Sequence, residues 1–312
     1  MTGNETFTNE TGGVRLDAAL LSRFPSSTKA FVREAIARGA VLVDGRPAPK
    51  GLKLSGGETI KVLDMKEADD NRVRPDPDIP VAVVYEDPDL VAFDKPAGMP
   101  VQPLDCEETG TLMNGVAARF PECTAIGDSP LMAGALHRID ADTSGLVLVA
   151  RTQAAFAAVR GQFAAQTVVK KYLALVEGKV ESEGRLENDL AHEPGIPFCR
   201  MIDARKNRLC ESERRRLKPL HAITEFRPCG SVKVECETRT LLDVTIKTGV
   251  THQIRAQLAM AGMHIVNDRT YGAFAVEGMT GHCLHSLSAA FVHPSTGKTV
   301  SIATPPPAWA SL

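Results

Sequence analysis

One stretch does most to limit what this chain can fold into. Asp64 to Pro80 holds six acids together with Pro75, Pro77 and Pro80 and little apolar material. A segment of that composition cannot build a core and reads as a stiffened linker. It separates a short amino-terminal part from a long remainder, and with 312 residues, 43% of them hydrophobic, there is apolar material for two packed domains. The expected organisation is a tail over 1–13, a small domain over 14–63, the acidic Pro-rich linker over 64–79 and a large domain over 80–312.

The start, MTGNETFTNETGG, is polar and rich in Gly, Thr and Asn, and reads as disordered. From Val14 the pattern changes. Arg15 to Leu21 predicts a short helix, and Pro25-Ser26-Ser27 supplies a break and a cap. Thr28 to Arg38 predicts a second helix with Phe31, Val32, Ala35 and Ile36 on its apolar side, closed by Gly39. Val41 to Val43 and Thr59 to Val62 read as strands, with Asp44-Gly45 as a turn. Between Arg15 and Lys61 stand nine basic and four acidic residues, a net of +5 in a chain whose total is −2. Arg15, Arg23, Lys29, Arg33 and Arg38 are the candidate phosphate contacts, Lys29 and Arg33 sharing a helical face. A solvated face fits that composition equally well.

In the long part, Val81 to Tyr85, Leu90 to Phe93, Gly145 to Ala150, Lys171 to Glu177, Leu241 to Lys247 and Thr299 to Ala303 read as strands. Thr109 to Phe120, Ala154 to Gln166 and His252 to Ala261 read as helices. They mix without a regular βαβ repeat, which favours an α+β domain with a largely antiparallel sheet. Arg200 to Lys218 breaks the rhythm with eight basic residues against three acids. It reads as a loop, and its Arg205, Lys206, Arg208, Arg214, Arg215 and Arg216 repeat the sign of the amino-terminal module. That repetition favours a grip on a polyanion over a plain exposed loop.

Several classes are excluded. The total charge of −2 rules out a uniformly basic coat for nucleic acid. No apolar run approaches a membrane span and the start lacks a signal-peptide pattern, so a cytoplasmic protein without membrane contact is expected. Seven scattered cysteines, never spaced as CxxC, read as reduced thiols. There is no dinucleotide or Walker loop and no serine elbow.

The most suggestive run is Ala135-Leu136-His137-Arg138-Ile139-Asp140-Ala141-Asp142-Thr143-Ser144-Gly145, directly before a buried strand. Short polar residues between apolar segments stand at the edge of a core, where the protonation and geometry of a carboxylate can be controlled. Asp140, Asp142, Ser144 and Gly145 begin like a calcium loop, but its twelfth position is Arg151 where glutamate is needed. Asp142-Thr143-Ser144-Gly145 lacks the spacing and second copy of an aspartic protease. His282, Cys283 and His285 have no recognised ligand spacing, so no metal is expected.

His137-Arg138-Ile139-Asp140 through Thr143-Ser144-Gly145 closely resembles the signature of the RluA-type pseudouridine synthases. Four further blocks agree in order: Val84 to Asp87 with Asp94 to Gly98, Lys170 to Gly178, Gly249 to Arg255, and Leu284 to Ser286 with Phe291 to Pro294. The likeness covers about residues 80–308. The amino-terminal module resembles the S4-like RNA-binding domain often fused to this family, a small α/β unit whose basic face suits structured RNA. The resemblance implies a pseudouridine synthase fold with a central cleft and an isomerisation without any cofactor: the C1′–N1 bond of a uridine is cleaved, the uracil turns, and C1′ is rejoined through C5.

The expected substrate is structured RNA, foremost 23S ribosomal RNA with transfer RNA as the other choice, and the expected enzyme is a monomer. Carried over by position, Asp140 is the catalytic aspartate, Arg138 helps flip the base and fills the vacancy, Tyr172 stacks on the uracil, and Arg255 pairs with the aspartate. Val250, Gln257 and Asn267 depart from the family pattern, where Arg, His and Gly are usual.

Overall fold

The computed structural model describes residues 5–25, 27–65, 72–194, 200–207, 209–234 and 237–311. By its internal contacts the chain forms two units, the first comprising residues 1–74 with short pieces at 104–108 and 129–131, the second the rest.

The first unit sets two helices on a small sheet. Its strands β1 (Glu5–Thr8), β2 (Val41–Val43), β3 (Arg46–Pro47) and β4 (Thr59–Val62) lie in the order β1-β4-β2-β3, all antiparallel. Helix α1 spans Leu16–Arg23 and α2 spans Lys29–Ala37, whose amino end is capped by Thr28 Oγ1 accepting from the Phe31 amide at 3.2 Å. Leu16, Leu20, Val32, Ile36, Val41, Ile60, Val62 and Met65 make the core. The turn between β2 and β3 needs two left-handed residues, and Asp44 (φ 49°) and Gly45 (φ 78°) supply them.

Two expectations are corrected in this unit. The tail expected to be disordered carries β1, because Phe7 and the Thr pair beside it alternate as a strand does and Phe7 packs on the core. Its polar composition hid that alternation. The acidic stretch is not a bare connector either, since Met65 at its start and Val73 in its middle are buried; its residues 66–71 lie outside the described part.

The second unit is a ten-stranded mixed sheet flanked by helices. In chain order its elements are β5 (Ala82–Glu86), β6 (Leu90–Lys95), α3 (Leu112–Arg119), β7 (Ser144–Ala150), α4 (Gln153–Ala164), β8 (Val169–Glu177), β9 (Gly184–His192), β10 (Met201–Asp203) and α5 (Glu211–Leu217). There follow β11 (Leu220–Val234), β12 (Glu237–Ile246), α6 (Gln253–Met260), β13 (Leu284–Val292) and β14 (Thr299–Ala303). The strand order is β10-β9-β11-β12-β8-β13-β7-β6-β5, with β14 also on β13. Among the described pairs only β13 with β7 is parallel, through His285 opposite Ser144 and Ser286 opposite Gly145. The fold is thus α+β with a mixed, largely antiparallel sheet.

The expected loop over Arg200 to Lys218 is also corrected, since it contains β10 and α5. Helix α5 places Glu211 and Glu213 in its first turn and Arg214 to Arg216 in its last, the arrangement that complements a helix dipole. The basic count drew attention away from that order. Strands β9 and β11 were hidden for related reasons. β9 (GRLENDLAH) is half solvated, and β11 contains Pro228 and Gly230, which the sheet accommodates as a bulge.

Candidate active site

The run that ends at Gly145 forms a loop laid against the parallel seam. Gly145 (φ 105°) is required there, because a Cβ would stand 2.3 Å from the Ser286 carbonyl oxygen. Two buried histidines peg the loop from across the seam: His282 Nε2 lies 2.8 Å from Thr143 Oγ1, and His285 Nδ1 lies 2.8 Å from Ser144 Oγ. His285 Nε2 also meets Thr304 Oγ1 at 2.8 Å. The histidines weighed as metal ligands are therefore hydrogen-bonded supports. Behind the loop, Lys95 at the end of β6 is wholly buried and its Nζ donates to the carbonyls of Pro96 (2.8 Å), Met99 (2.7 Å) and Ala141 (2.8 Å). Burial pulls this amine down to about 8.

This scaffold presents Asp140 to α6. Arg255 Nη1 donates to Asp140 Oδ2 at 2.7 Å, while its other edge grips Asp268 with both forks, Nε to Oδ2 at 2.7 Å and Nη2 to Oδ1 at 2.9 Å. Arg255 and Asp268 are buried, whereas the Asp140 side chain keeps 26% of its surface in solvent. Burial works against the charge on Arg255, but Asp268 and Asp140 outweigh it and hold its pKa above the ordinary value. Burial likewise opposes the Asp268 carboxylate, and Arg255 keeps it below the usual carboxylate range. One acid thus anchors the guanidinium and the other is left at the surface, positioned but reachable.

His252, at the amino end of α6, adds a second contact. It holds a left-handed conformation (φ 52°), uncommon for a side-chain-bearing residue, and brings Nε2 to 3.8 Å from Asp140 Oδ2. Its Nδ1 lies 3.2 Å from the Tyr271 hydroxyl, which accepts from the Met201 amide at 2.9 Å. The Tyr271 ring faces the Arg255 guanidinium at 5.2 Å.

Tyr172 sits in β8 opposite Ser286 and Val244, almost fully buried. Burial pushes its hydroxyl up to about 12, against a hydrogen bond with Ser286. It is a neutral phenol at physiological pH. Arg138, two residues before Asp140, is exposed and makes no ion pair among the described residues. Its neighbour His137 points the other way, accepting the Leu148 amide on Nε2 at 3.1 Å and stacking on Phe163. Sequence reasoning thus named Asp140, Arg138, Tyr172 and Arg255, and missed the supporting roles of Asp268, His252, Tyr271 and Lys95, although His252 and Lys95 lie in blocks it quoted.

The three departures from the family pattern have structural uses. Gln257 accepts from Thr224 Oγ1 (2.7 Å) and donates to Asn188 Oδ1 (2.9 Å), tying α6 to β11 and β9. Asn267 takes a left-handed conformation (φ 66°), the one for which glycine is the usual choice. Val250 packs against the small apolar cluster of Leu190, Met201, Ala222, Ala256 and Tyr271.

Of the basic residues expected to contact RNA, many have partners. Arg15 pairs with Asp17, Arg23 with Glu5 and Arg38 with Asp64. In the insert Arg205 grips Asp189, Arg215 pairs with Glu211, Arg216 lies near Glu213, and Arg214 donates to the Ala204 carbonyl. Lys29 and Arg33 lie side by side on the exposed face of α2, and neither they nor Lys206 form an ion pair among the described residues. Arg208 lies outside the described residues. Asp87, Asp89 and His293 come together within 4.8 Å, but Asp87 is already taken by Tyr85, His293 and the amides of Asp89 and Leu90.

The pegs make the fold acid-sensitive. Burial holds His282 and His285 down to about 4 in the folded protein, against about 6.5 in an unfolded chain. Between those values the unfolded chain binds protons that the folded one refuses, so stability falls as pH drops from 6.5 towards 4. Urea unfolding at pH 7 and pH 5 is expected to differ by roughly 2 kcal/mol for each histidine. Buried His137, held down to about 3, adds a similar share, so His285→Gln should lose about a third of the whole difference, and an unchanged difference would refute the assignment.

Comparison with known proteins agrees with this picture. The family model described as RNA pseudouridylate synthase matches residues 89–260, and the S4 domain model matches residues 14–60. The ribosomal large subunit pseudouridine synthase D of Xanthomonas campestris pv. campestris is 32% identical over 95% of this chain and 86% of its own. An uncharacterized RNA pseudouridine synthase of Bacillus subtilis, YlyB, is 30% identical over 97% and 93%. Among solved structures, human RNA pseudouridylate synthase domain containing 1 superposes with a TM-score of 0.59 over 73% of this chain and 84% of its own at 23% identity, a likeness of fold. With more than half of its length matched by the family model and a loop built around Asp140 and Arg255, the chain belongs to the RluA-type pseudouridine synthases and is an RNA pseudouridine synthase carrying an S4 domain.

Proposed function

We propose that this enzyme isomerises one or a few uridines of large-subunit (23S) ribosomal RNA, with Asp140 as the group that acts on the target nucleotide. The observation that carries the reading is the solvent-reachable Asp140 carboxylate held at 2.7 Å by an arginine that is itself buried and anchored by Asp268. Such preorganisation lets a carboxylate act without first paying for its own orientation. The reaction breaks the N1–C1′ bond, forms C5–C1′, releases the proton from C5 and returns one to N1, so no redox partner or cofactor is required.

Tyr172, a neutral phenol in the sheet behind Asp140, offers its ring to the uracil and is no base at physiological pH. Exposed Arg138 occupies the place that the flipped uridine leaves in its stack. The face of α2 carrying Lys29 and Arg33, and Lys206 in the insert, supply phosphate contacts. The choice of ribosomal RNA over transfer RNA follows the names of the relatives, which act on the ribosomal large subunit. The enzyme is proposed to act as a monomer.

Pseudouridine mapping of ribosomal and transfer RNA from cells lacking the gene, complemented with the parent or with Asp140→Ala, tests this reading. Large-subunit marks that return only with the parent are expected. Marks in transfer RNA alone would move the substrate, and marks restored by Asp140→Ala would refute the role of the aspartate.

A further inference from the structure

The segment 272–281 has no part in the site as described, yet both of its ends are fastened to it. At its start stands Tyr271, which faces Arg255 and meets His252. At its end Gly281 (φ 71°) runs so close to the loop of Asp140 that a Cβ would stand 2.5 Å from the Asp142 carbonyl oxygen, and Thr280 packs at Gly98. Asn267 closes the segment from within. Its Oδ1 accepts from the Val276 amide at 2.9 Å, and its Nδ2 donates to the carbonyls of Met279 (3.3 Å) and Gly281. Val276 and Met279 turn inward onto the core around Tyr172.

Phe274 does the reverse. In a strap tied at both ends and in the middle, this residue is 84% exposed. Scattered surface aliphatics need no explanation, but an aromatic face held in water beside a nucleotide-modifying site matches the way proteins hold single-stranded RNA. Unpaired bases stack on such rings whatever their sequence. The only charge between Ala273 and Gly281 is that of Glu277, so the strap is not built to neutralise phosphate. Phosphate contacts fall instead to exposed cations outside it, Arg269 just before the strap and Arg138 in the loop of Asp140, neither of which forms an ion pair among the described residues.

We propose that Phe274 is an RNA-stacking residue, its ring taking the face of an unpaired base that flanks the target uridine. Tyr172 lies inside the sheet and serves the target base; Phe274 stands on the rim and serves a neighbour. It thereby favours uridines whose neighbours are also free to leave their stack, as in loops and bulges. This inference rests on placing the target uridine at Asp140.

Joining C1′ to C5 releases the C5 hydrogen to water, so total RNA labelled with [5-³H]uridine in cells lacking the gene reports turnover whichever uridine is the target. With Phe274→Ala, the rate at sub-saturating RNA should fall roughly 5- to 150-fold, the range of one base–aromatic stack, while the saturating rate stays within about twofold. Phe274→Trp should restore the low-RNA rate and Phe274→Leu should not. The salt slope of RNA binding should be the same for parent and Phe274→Ala, because no phosphate contact is lost. A Phe274→Ala rate equal to the parent's at low RNA, or a Leu variant as active as the Trp variant, overturns the proposal. Failure of the Asp140 reading shows separately, as tritium release that persists in Asp140→Asn.

Discussion

Asp140→Asn is expected to abolish turnover and to leave almost everything else in place. A positioned acid–base group contributes up to about 10⁴-fold, and the substituted amide keeps the size of the carboxylate while losing its charge and basicity. RNA affinity should change by less than about twofold, since a lone carboxylate adds little to the holding of a polyanion. Stability should change by less than about 1 kcal/mol: the pair with Arg255 is partly in solvent, and Arg255 retains both bonds to Asp268. Single-turnover rates beside filter binding and urea unfolding separate these quantities. Residual turnover near the parent rate would end the assignment, and a large loss of stability would mean that Asp140 supports the fold.

Arg255→Met should have the opposite profile, with activity and stability lost together. It leaves the Asp268 carboxylate, 1% exposed, without its partner, and breaking a buried pair in that way costs roughly 3–5 kcal/mol. The same change frees Asp140 and removes the fixed charge beside the reaction, for which a loss of roughly 10²- to 10³-fold in turnover is expected. The pair Arg255→Met with Asp268→Leu separates the two effects. It should recover part of the stability, because no uncompensated charge stays buried, and should recover no activity. A double variant no more stable than Arg255→Met alone would show that the loss comes from packing and not from the orphaned acid.

The candidate site residues were easier to name from the sequence than the groups that support them or several of the strands, for physical reasons. Asp140, Arg138, Tyr172 and Arg255 could be named because each lies in a short block whose order and spacing are specific. What held them could not be read, because support acts at long range. Nothing local to Asp268 says that it faces Arg255 thirteen residues earlier, and nothing local to Lys95 says that it reaches Ala141. Most helices and apolar strands were visible by periodicity, although β13, an apolar strand at the parallel seam, was not among those expected. β9 was masked by charge on its wet face, β11 by a proline that a bulge accommodates, and α5 by a basic count that ignored which end of the helix each charge occupied. That count also overstated the free positive surface, because Arg205 and Arg215 direct their charge to Asp189 and Glu211.

The parallel seam sets a schedule for synthesis. Thr143 and Ser144 are pegged by His282 and His285, which lie 139 and 141 residues further along the chain. At roughly 5–20 residues per second of translation, the loop of Asp140 is synthesised about 7–28 s before the histidines that hold it. Arg255, 115 residues away, also precedes them. A nascent chain therefore carries both Asp140 and Arg255 before the histidines that peg the loop exist.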